Sequence, residues 1–229
     1  ALSVSGGSNV VARVKAMNSS LLYGDPVCSS ATLVAPDPIT GFTATASSTP
    51  GNVDLAWTNP ASLTGVTLTR TVSGTPTNFS LSSSTTSYTD SPGSSLSVSY
   101  SIVATNAAGS SPAAIGSATT IPTPPTVVSF VASNPGTLTF TVTEPTHSNI
   151  TEYEAQLETA STWGSTVSTG PFADYSWSSA VHGTTYRART RTVDSFGQRS
   201  TWATSSSTTG INDTAGPVVP TPTASWSQV

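Results

Sequence analysis

The side chains that most often act in catalysis or metal binding are few in this chain and are widely separated. His147 and His182 both lie in predicted loops, and neither has a cysteine or carboxylate at the spacing of metal ligands. The sequence contains no glycine-rich phosphate loop, no His–Glu metal-binding pair and no nucleophile elbow. The single cysteine, Cys28, is typical of a small packing residue and cannot form a disulfide within the chain. We therefore expect no catalytic residue, no metal site and no cofactor.

The side chains best placed to contact a partner follow a predicted strand at its carboxyl end. Phe196, Gln198, Arg199 and Trp202 lie in or beside the loop that follows residues 186–194. Loops at the end of a β-domain are its usual binding surface, because a rigid scaffold holds them in place. We expect these four residues either to contact a partner or to pack against the neighbouring domain.

The charge of the chain argues against several kinds of partner. Only 7 Lys and Arg residues are spread over 229 positions, and the formal net charge is −4. A phosphate-binding track needs a denser basic surface, so we expect no nucleic-acid partner. No apolar run is long enough to span a membrane, and Ala1 is not followed by the pattern of a signal peptide. We therefore expect no membrane span and no signal peptide in this sequence.

One strand-like stretch occurs three times and indicates how the chain is organised. The copies are Ala12–Asn18, Tyr100–Asn106 and Tyr186–Asp194. Their closing Asn or Asp residues stand at positions 18, 106 and 194, so both intervals are 88 residues. The side chains of each copy alternate between an inward and an outward set, which is the period of a half-buried strand and not of a helix. A constant interval of this size in strand-patterned sequence predicts tandem all-β domains.

The alternation also predicts which side chains of each copy face a core. The inward residues would be Ala12, Val14 and Ala16 in the first copy, Val98, Tyr100, Ile102 and Ala104 in the second, and Tyr186, Ala188, Thr190 and Thr192 in the third. Val53, Leu55 and Trp57 alternate in the same way in an earlier strand. The Asn or Asp that closes each copy can bond the backbone beside it, so we expect it to start a turn.

Turn residues divide the chain at intervals that match this repeat. The 17 Gly and 17 Pro residues separate short runs of strand pattern, and Pro36–Asp37–Pro38 marks the first boundary. We expect residues 1–34 to be the last three strands of a module whose front half is missing. Residues 35–121 and 122–210 would then be two complete modules, and residues 211–229 a linker or the start of a further module.

Three stretches of the sequence resemble fibronectin type III modules, and the resemblance covers nearly the whole chain. They are Trp57–Pro60, Ser99–Gly109 and His182–Arg189. By this resemblance Trp57 is the core tryptophan of the second strand, and Tyr186 is the tyrosine that locks the turn before the sixth. The sequence departs from the pattern at Val142, where the core tryptophan should stand, and at Val98, where the tyrosine should stand. The resemblance implies an all-β chain: an elongated array of tandem immunoglobulin-like sandwiches, each of seven strands in two sheets.

The resemblance also implies a contact between two charged rows of the module 122–210. One row is Arg187, Arg189 and Arg191, and the other is Glu152, Glu154 and Glu158. In a fibronectin type III module the strands that carry these rows are neighbours in one sheet, so the rows should form a ladder of opposite charges. The alternative is that the arginines form a binding strip for an acidic partner.

A more particular resemblance lies at the end of the second complete module. Residues 192–202 are similar to fibronectin type III repeats of bacteriophage tail-tip and minor tail proteins. This resemblance implies a non-catalytic structural and adhesive part of a virion, which spaces other subunits of a larger assembly and makes weak contacts with host-surface carbohydrate. Two further hypotheses remain open: an accessory array of a secreted bacterial polysaccharide hydrolase, and an extracellular adhesin or filament subunit of the cell surface. The fold alone does not separate them.

Overall fold

The computed structural model describes residues 6–20, 27–28, 31–146, 149–171 and 174–211, and these residues form strands and turns without a helix. The all-β prediction is therefore confirmed for the described chain. No described segment is a helix long and apolar enough to cross a membrane. His147, the side chain of Cys28 and residues 212–229 lie outside the described residues.

The strands fall into three groups along the sequence. The N-terminal segment contains β1 (Asn9–Val10), β2 (Arg13–Val14), β3 (Val27–Cys28) and β4 (Thr32–Leu33). The first complete module contains β5 (Thr40–Ala46), β6 (Val53–Thr58), β7 (Gly65–Val72), β8 (Thr75–Ser82), β9 (Ser87–Asp90), β10 (Ser97–Asn106), β11 (Gly109–Ser110) and β12 (Ala114–Thr119). The second contains β13 (Thr126–Asn134), β14 (Thr137–Thr143), β15 (Ile150–Thr159), β16 (Thr162–Trp163), β17 (Val167–Gly170), β18 (Tyr175–Trp177), β19 (Thr185–Asp194), β20 (Ala203–Thr204) and β21 (Thr208–Thr209).

The main division between the two compact units of the chain falls between Thr123 and Pro124. The first unit holds the N-terminal segment, the first complete module and residues Asp194–Arg199, and the second unit holds the rest of the second complete module. The exact module boundaries proposed from the sequence stay predictions.

The N-terminal segment is a two-stranded ribbon in which β1 pairs with β4 and β2 pairs with β3. The sequence predicted that Ala12, Val14 and Ala16 would face a core, and this prediction is wrong. All three are exposed, and Val14 and its cross-strand partner Val27 are 67% and 74% exposed. The alternation is that of a strand, but the described chain provides no second sheet to cover this face of the ribbon.

Two glycines join the base of the ribbon to the first complete module. The Gly6 N–H donates to Asp37 Oδ1 at 3.0 Å. A Cβ on Gly6 would lie 2.2 Å from the Asp37 backbone nitrogen, and a Cβ on Gly7 would lie 2.4 Å from the Ser62 Cβ. Both positions therefore require glycine. The Asn106 side-chain amide completes the joint by donating to the Val34 carbonyl at 2.9 Å.

The first complete module is a sandwich of a three-stranded and a five-stranded sheet. The first sheet has the order β5-β6-β9, and the second has β11-β10-β7-β8 with β12 paired to the remaining length of β10. Its core is formed by the predicted inward residues of β6 and β10 together with three others. They are Ile39, Val53, Leu55, Trp57, Val66, Leu68, Val98, Tyr100, Ile102 and Ala104, and each is at most 5% exposed.

A carboxylate is buried within this apolar core. Asp90 is 3% exposed; its Oδ2 accepts a hydrogen bond from the Tyr100 hydroxyl at 2.8 Å, and its Oδ1 is 2.9 Å from Arg70 Nη1. The Arg70 guanidinium also lies over the Phe79 ring, 5.3 Å from its centroid. Burial first, and then the Asp90 carboxylate, raise the pKa of Tyr100, which therefore remains a neutral hydrogen-bond donor.

β8 is an edge strand of the five-stranded sheet, and the two-residue turn Ser73–Gly74 joins it to β7. Both turn residues have a positive φ, 48° and 81°, as this hairpin type requires. The pair that flanks such a turn is hydrogen-bonded, so the next pair, Thr71 with Pro76, directs its backbone groups away from the ladder. The backbone nitrogen of Pro76 therefore faces away from β7, towards the open side of the edge strand, and it carries no N–H.

The second complete module repeats the plan with a different core. Its sheets are β13-β14-β18 and β16-β15-β19-β20, with β17 on β15 and β21 on β19. Val142 takes the place expected for a core tryptophan and is 8% exposed. A large ring is supplied instead by Trp177 of β18, whose centroid lies 6.2 Å from those of both Phe130 and Phe140.

The predicted inward face of β19 is confirmed, since Tyr186, Ala188, Thr190 and Thr192 are at most 5% exposed. The Tyr186 hydroxyl accepts a hydrogen bond from the Val181 N–H at 2.8 Å. This bond fastens the turn before β19 to the strand, as the sequence resemblance implied.

Each copy of the repeated strand ends in the predicted turn. The side-chain Oδ1 of Asn18, Asn106 and Asp194 accepts the backbone N–H two residues later, at 2.9, 2.8 and 3.0 Å. These three bonds confirm that the closing residue starts the turn.

We expect Trp57→Ala to destabilise the first complete module by about 3–5 kcal/mol, because it removes a large aromatic side chain from a packed core. The indole is 5% exposed, and its N–H donates to Asn59 Oδ1 at 2.8 Å. Urea denaturation followed by backbone circular dichroism measures the loss. Trp202→Ala in the other unit is the matched control and should leave the transition of this module unchanged. A silent Trp57→Ala would contradict the core described here.

Candidate functional site

The charged strand β19 and its neighbours bring arginines and tryptophans together on one face of a sheet. Ala160 and Ser161 have φ values of 50° and 63° and form the tight turn between β15 and β16. This turn places Trp163 directly opposite Glu158. On the other side of β19, Trp202 immediately precedes β20, which pairs with β19 at Arg189.

The rings and guanidinium groups alternate in a stack. The Arg189 Cζ lies 4.1 Å from the centroid of the Trp163 ring and 4.5 Å from that of Trp202. Arg191 lies 4.3 Å from the Trp202 ring, and Arg187 lies 5.8 Å from the Trp163 ring. The order is therefore Arg187, Trp163, Arg189, Trp202, Arg191, which we call the Trp–Arg stack. Each close contact of this kind is worth about 0.5–2 kcal/mol, more as it is desolvated.

The predicted ladder of opposite charges is confirmed at two of its three positions. Arg187 lies 3.3 Å from Glu158, and Arg191 lies 2.6 Å from Glu154. The middle position differs from the prediction, because Arg189 donates through Nε and Nη2 to Gln156 Oε1, with an Nε distance of 2.7 Å.

The two glutamates of the ladder are largely shielded from solvent, with side chains 9% and 12% exposed. Glu154 is 7% exposed, because the stacked rings and guanidinium groups cover the strand on which it lies. Burial, followed by the neighbouring Arg191 charge, lowers the pKa of Arg189. The guanidinium groups are already held by acceptors on β15 and by rings, which favours the ladder over the alternative of a binding strip for an acidic partner.

The loop that was predicted to contact a partner is built around Asp194. The Asp194 Oδ1 accepts the backbone N–H groups of Phe196 and Gln198 at 3.0 and 2.8 Å, and Asp194 itself is 2% exposed. Phe196 is 47% exposed, Arg199 is exposed and Gln198 is half-buried. The structure brings these three onto one turn and places Trp202 in the Trp–Arg stack. Contact with a partner through this loop stays a prediction.

The corresponding turn of the first complete module shows what such a loop can do. There the closing residue, Asn106, donates its amide to Val34 of the preceding ribbon. A turn at this end of a module can therefore serve packing within the array as well as contact with a partner.

Sequence reasoning missed Trp163 and Gln156 as members of this cluster. Trp163 could have been found by assuming a two-residue hairpin at Ala160–Ser161, which places it opposite Glu158. Ala–Ser is not a typical turn pair, because neither residue favours a positive φ. Gln156 alternates with the glutamates on β15, but an uncharged amide gave no signal of its own.

The histidines and acidic residues do not assemble into a metal site in the part of the chain that the structure describes, where no three His, Cys, Asp or Glu residues cluster. His182 is exposed on the turn before β19.

No protein-family model matches the chain, and no curated protein matches it. Among solved structures, a two-domain fibronectin type III segment of chicken tenascin is 18% identical, with a TM-score of 0.56 over 74% of this chain and 98% of that one. The fold is that of tandem fibronectin type III modules. At this identity the likeness establishes the fold alone.

Two further similar structures have lower scores. The FN1–FN3 domains of chicken CNTN1 are 11% identical, with a TM-score of 0.36 over 90% of this chain and 77% of that one. The structure of FN3tt is 17% identical, with a TM-score of 0.34 over 37% of this chain and 94% of that one.

We expect Trp202→Ala to destabilise the second complete module by about 2–3 kcal/mol, because two guanidinium contacts and the packing of a half-buried ring are lost together. Urea denaturation of the full chain measures the change. Trp202→Phe, which keeps an aromatic face between Arg189 and Arg191, is the matched variant. It should lose less than half as much stability as Trp202→Ala. Equal losses in the two variants would show that the stacking contributes little.

The two outer pairs of the ladder should differ in coupling energy because they differ in exposure. Arg191 and Glu154 side chains are 23% and 9% exposed, whereas those of Arg187 and Glu158 are 46% and 12% exposed. In double-mutant cycles with alanine, we expect about 1–2 kcal/mol for the first pair and less than about 1 kcal/mol for the second. A larger coupling energy for the more exposed pair would contradict this assignment.

Proposed function

We propose that the chain is a non-catalytic structural and adhesive array of a bacteriophage tail, as part of a minor tail or tail-tip protein. In this role it spaces the subunits beside it and makes weak contacts with host-surface glycans. The observation that supports the proposal most directly is the presence of two complete sandwiches in tandem, whose repeated strands end 88 residues apart at Asn106 and Asp194. The similarity of residues 192–202 to repeats of tail proteins supports the choice of a virion over other extracellular assemblies.

The chemistry of the two modules favours a partner that is recognised without strong charge attraction. In the first complete module, Arg70 and Asp90 pair inside the sandwich. In the second, three of the arginines are held by the Trp–Arg stack and the ladder. Contacts at such surfaces depend on hydrogen bonds and apolar packing, and each of them is weak.

Weak contacts suit a repeated module that is present in several copies on one particle. Displaying several copies together raises the overall avidity by about 10²–10⁴ over a single copy, without any new contact. The other subunits of the tail would be the stable partners of the array, and host-surface carbohydrate its transient one.

The proposal is tested by locating the chain and measuring its attachment. Antibodies raised against the purified chain should label the tails of virions in negative-stain electron microscopy. Beads that carry many copies should bind host cells with an apparent affinity at least about 100-fold higher than that of the monomer, measured by competition. If the antibodies label only a secreted bacterial protein, the phage assignment is overturned and the accessory array of a polysaccharide hydrolase is favoured. Equal attachment by beads with and without the chain would overturn the adhesive role.

A further inference from the structure

On β7, β10 and β12 of the five-stranded sheet, most of the outward side chains carry hydroxyl groups. Val66, Leu68, Tyr100 and Ile102 point into the core, so the residues between them on β7 and β10 point outward. In register across three strands, Ser99 lies between Thr71 and Ser117, and Ser101 lies between Thr69 and Ile115. We call these rows the hydroxyl face.

The hydroxyl face contains an open groove of about 520 Å³. Five of the groove-lining residues point outward from the sheet: Thr71, Ser99, Ser101, Ile115 and Ser117. Ile115 is 80% exposed and is the only large apolar side chain among them. Within the described chain, the four hydroxyl groups beside it have no hydrogen-bond partner in the protein. The groove therefore offers four uncommitted hydroxyl groups around one apolar contact.

The second complete module shows that this groove is a consequence of the side chains and not of the sheet. The corresponding strands there are β15, β19 and β20, which have the same order. Their outer face is filled by the Trp–Arg stack and the ladder beneath it. The first module has short hydroxyl side chains at the same places, and these leave the space open.

Charge complementarity restricts what can occupy the groove. The module 35–121 has four charged residues, Asp37, Asp54, Arg70 and Asp90. Arg70 and Asp90 pair on the inner side, Asp54 belongs to the other sheet, and Asp37 precedes β5. No charge is therefore placed on the hydroxyl face, and an ionised ligand would lose hydration there without gaining a counter-charge.

The uncharged chemistry of the face matches that of a saccharide. A serine or threonine hydroxyl both donates and accepts hydrogen bonds, as does each hydroxyl of a sugar. The exposed Ile115 provides a contact for the C–H surface of a sugar ring. We propose that the hydroxyl face of the first complete module is a binding surface for an uncharged polysaccharide. The inference rests on the proposed function in one respect, because it names the kind of host glycan and the surface that receives it.

Affinity electrophoresis of the full chain tests the proposal, with dextran, mannan and arabinogalactan as neutral probes and heparin and hyaluronan as anionic ones. At least one neutral polymer should retard the chain, and the anionic polymers should not. The apparent Kd, measured by titration with the retarding polymer, should change less than about twofold up to 1 M NaCl, where the Debye length is about 3 Å. Retardation by the anionic polymers alone, or a steep dependence on salt, would overturn the proposal.

Variants locate the binding on the face. Ser99→Glu and Ser117→Glu place an ionised group in the groove and should weaken binding by about tenfold or more. Ile115→Ser should weaken it by about fivefold, through loss of the apolar contact. Ser176→Glu, at an exposed strand position of β18 in the other unit, is the matched control and should bind as the unmodified chain does. Thermal unfolding verifies that each variant is folded, and folded groove variants with unchanged affinity would overturn the proposal.

The inference and the proposed function fail in different ways. If the chain attaches to host cells but no neutral polymer retards it, the hydroxyl face is the wrong surface and the adhesive function stands. If a neutral polymer binds through Ser99 and Ile115, but antibodies against the chain do not label tails and the chain does not attach to cells, the hydroxyl face is a polysaccharide-binding surface and the proposed phage function fails. A free oligosaccharide that competes as well as its polymer would show that the groove recognises single units and not an extended chain.

Discussion

A tyrosine hydroxyl is seldom buried without a hydrogen-bond partner, and this constraint organises both complete modules. In the second module the requirement is met locally, because the Tyr186 hydroxyl accepts the Val181 N–H. In the first module Tyr100 donates to Asp90 instead, and the resulting buried carboxylate needs a counter-charge from Arg70. One displaced tyrosine therefore accounts for the only ion pair found between described side chains of that module. The two tyrosines stand two residues apart in the repeat, since Tyr186 corresponds to Val98 and not to Tyr100. A backbone group satisfies one hydroxyl and a charged network satisfies the other.

The sequence predicted what depends on periodicity and missed what depends on the layers above a strand. The inward faces of β10 and β19, the place of Trp57 and the turns at Asn18, Asn106 and Asp194 all follow from a two-residue alternation and its closing residue. The same alternation in β2 predicted burial of Val14, which is exposed, because a period identifies a face but not the sheet that covers it.

The candidate site was predictable only in part, for a related reason. The ladder of opposite charges could be inferred from two alternating rows, and it is present at Glu158 and Glu154. The Trp–Arg stack could not, because Trp163 reaches Arg189 through a hairpin and Trp202 reaches it from the opposite strand. The hydroxyl face was also missed. Serine and threonine are frequent throughout the chain, and only the register of three strands shows where they surround a groove.

The proline on β8 has a consequence for how densely these modules can be packed. An eight-residue edge strand without a charged residue is a ready template for the same strand of another copy, and side-by-side growth of this kind leads to fibrils. Pro76 interrupts that template near its start, because its backbone nitrogen cannot donate towards an incoming strand. When many copies are held close together, they can remain separate molecules, because this edge strand pairs poorly with the same strand of another copy.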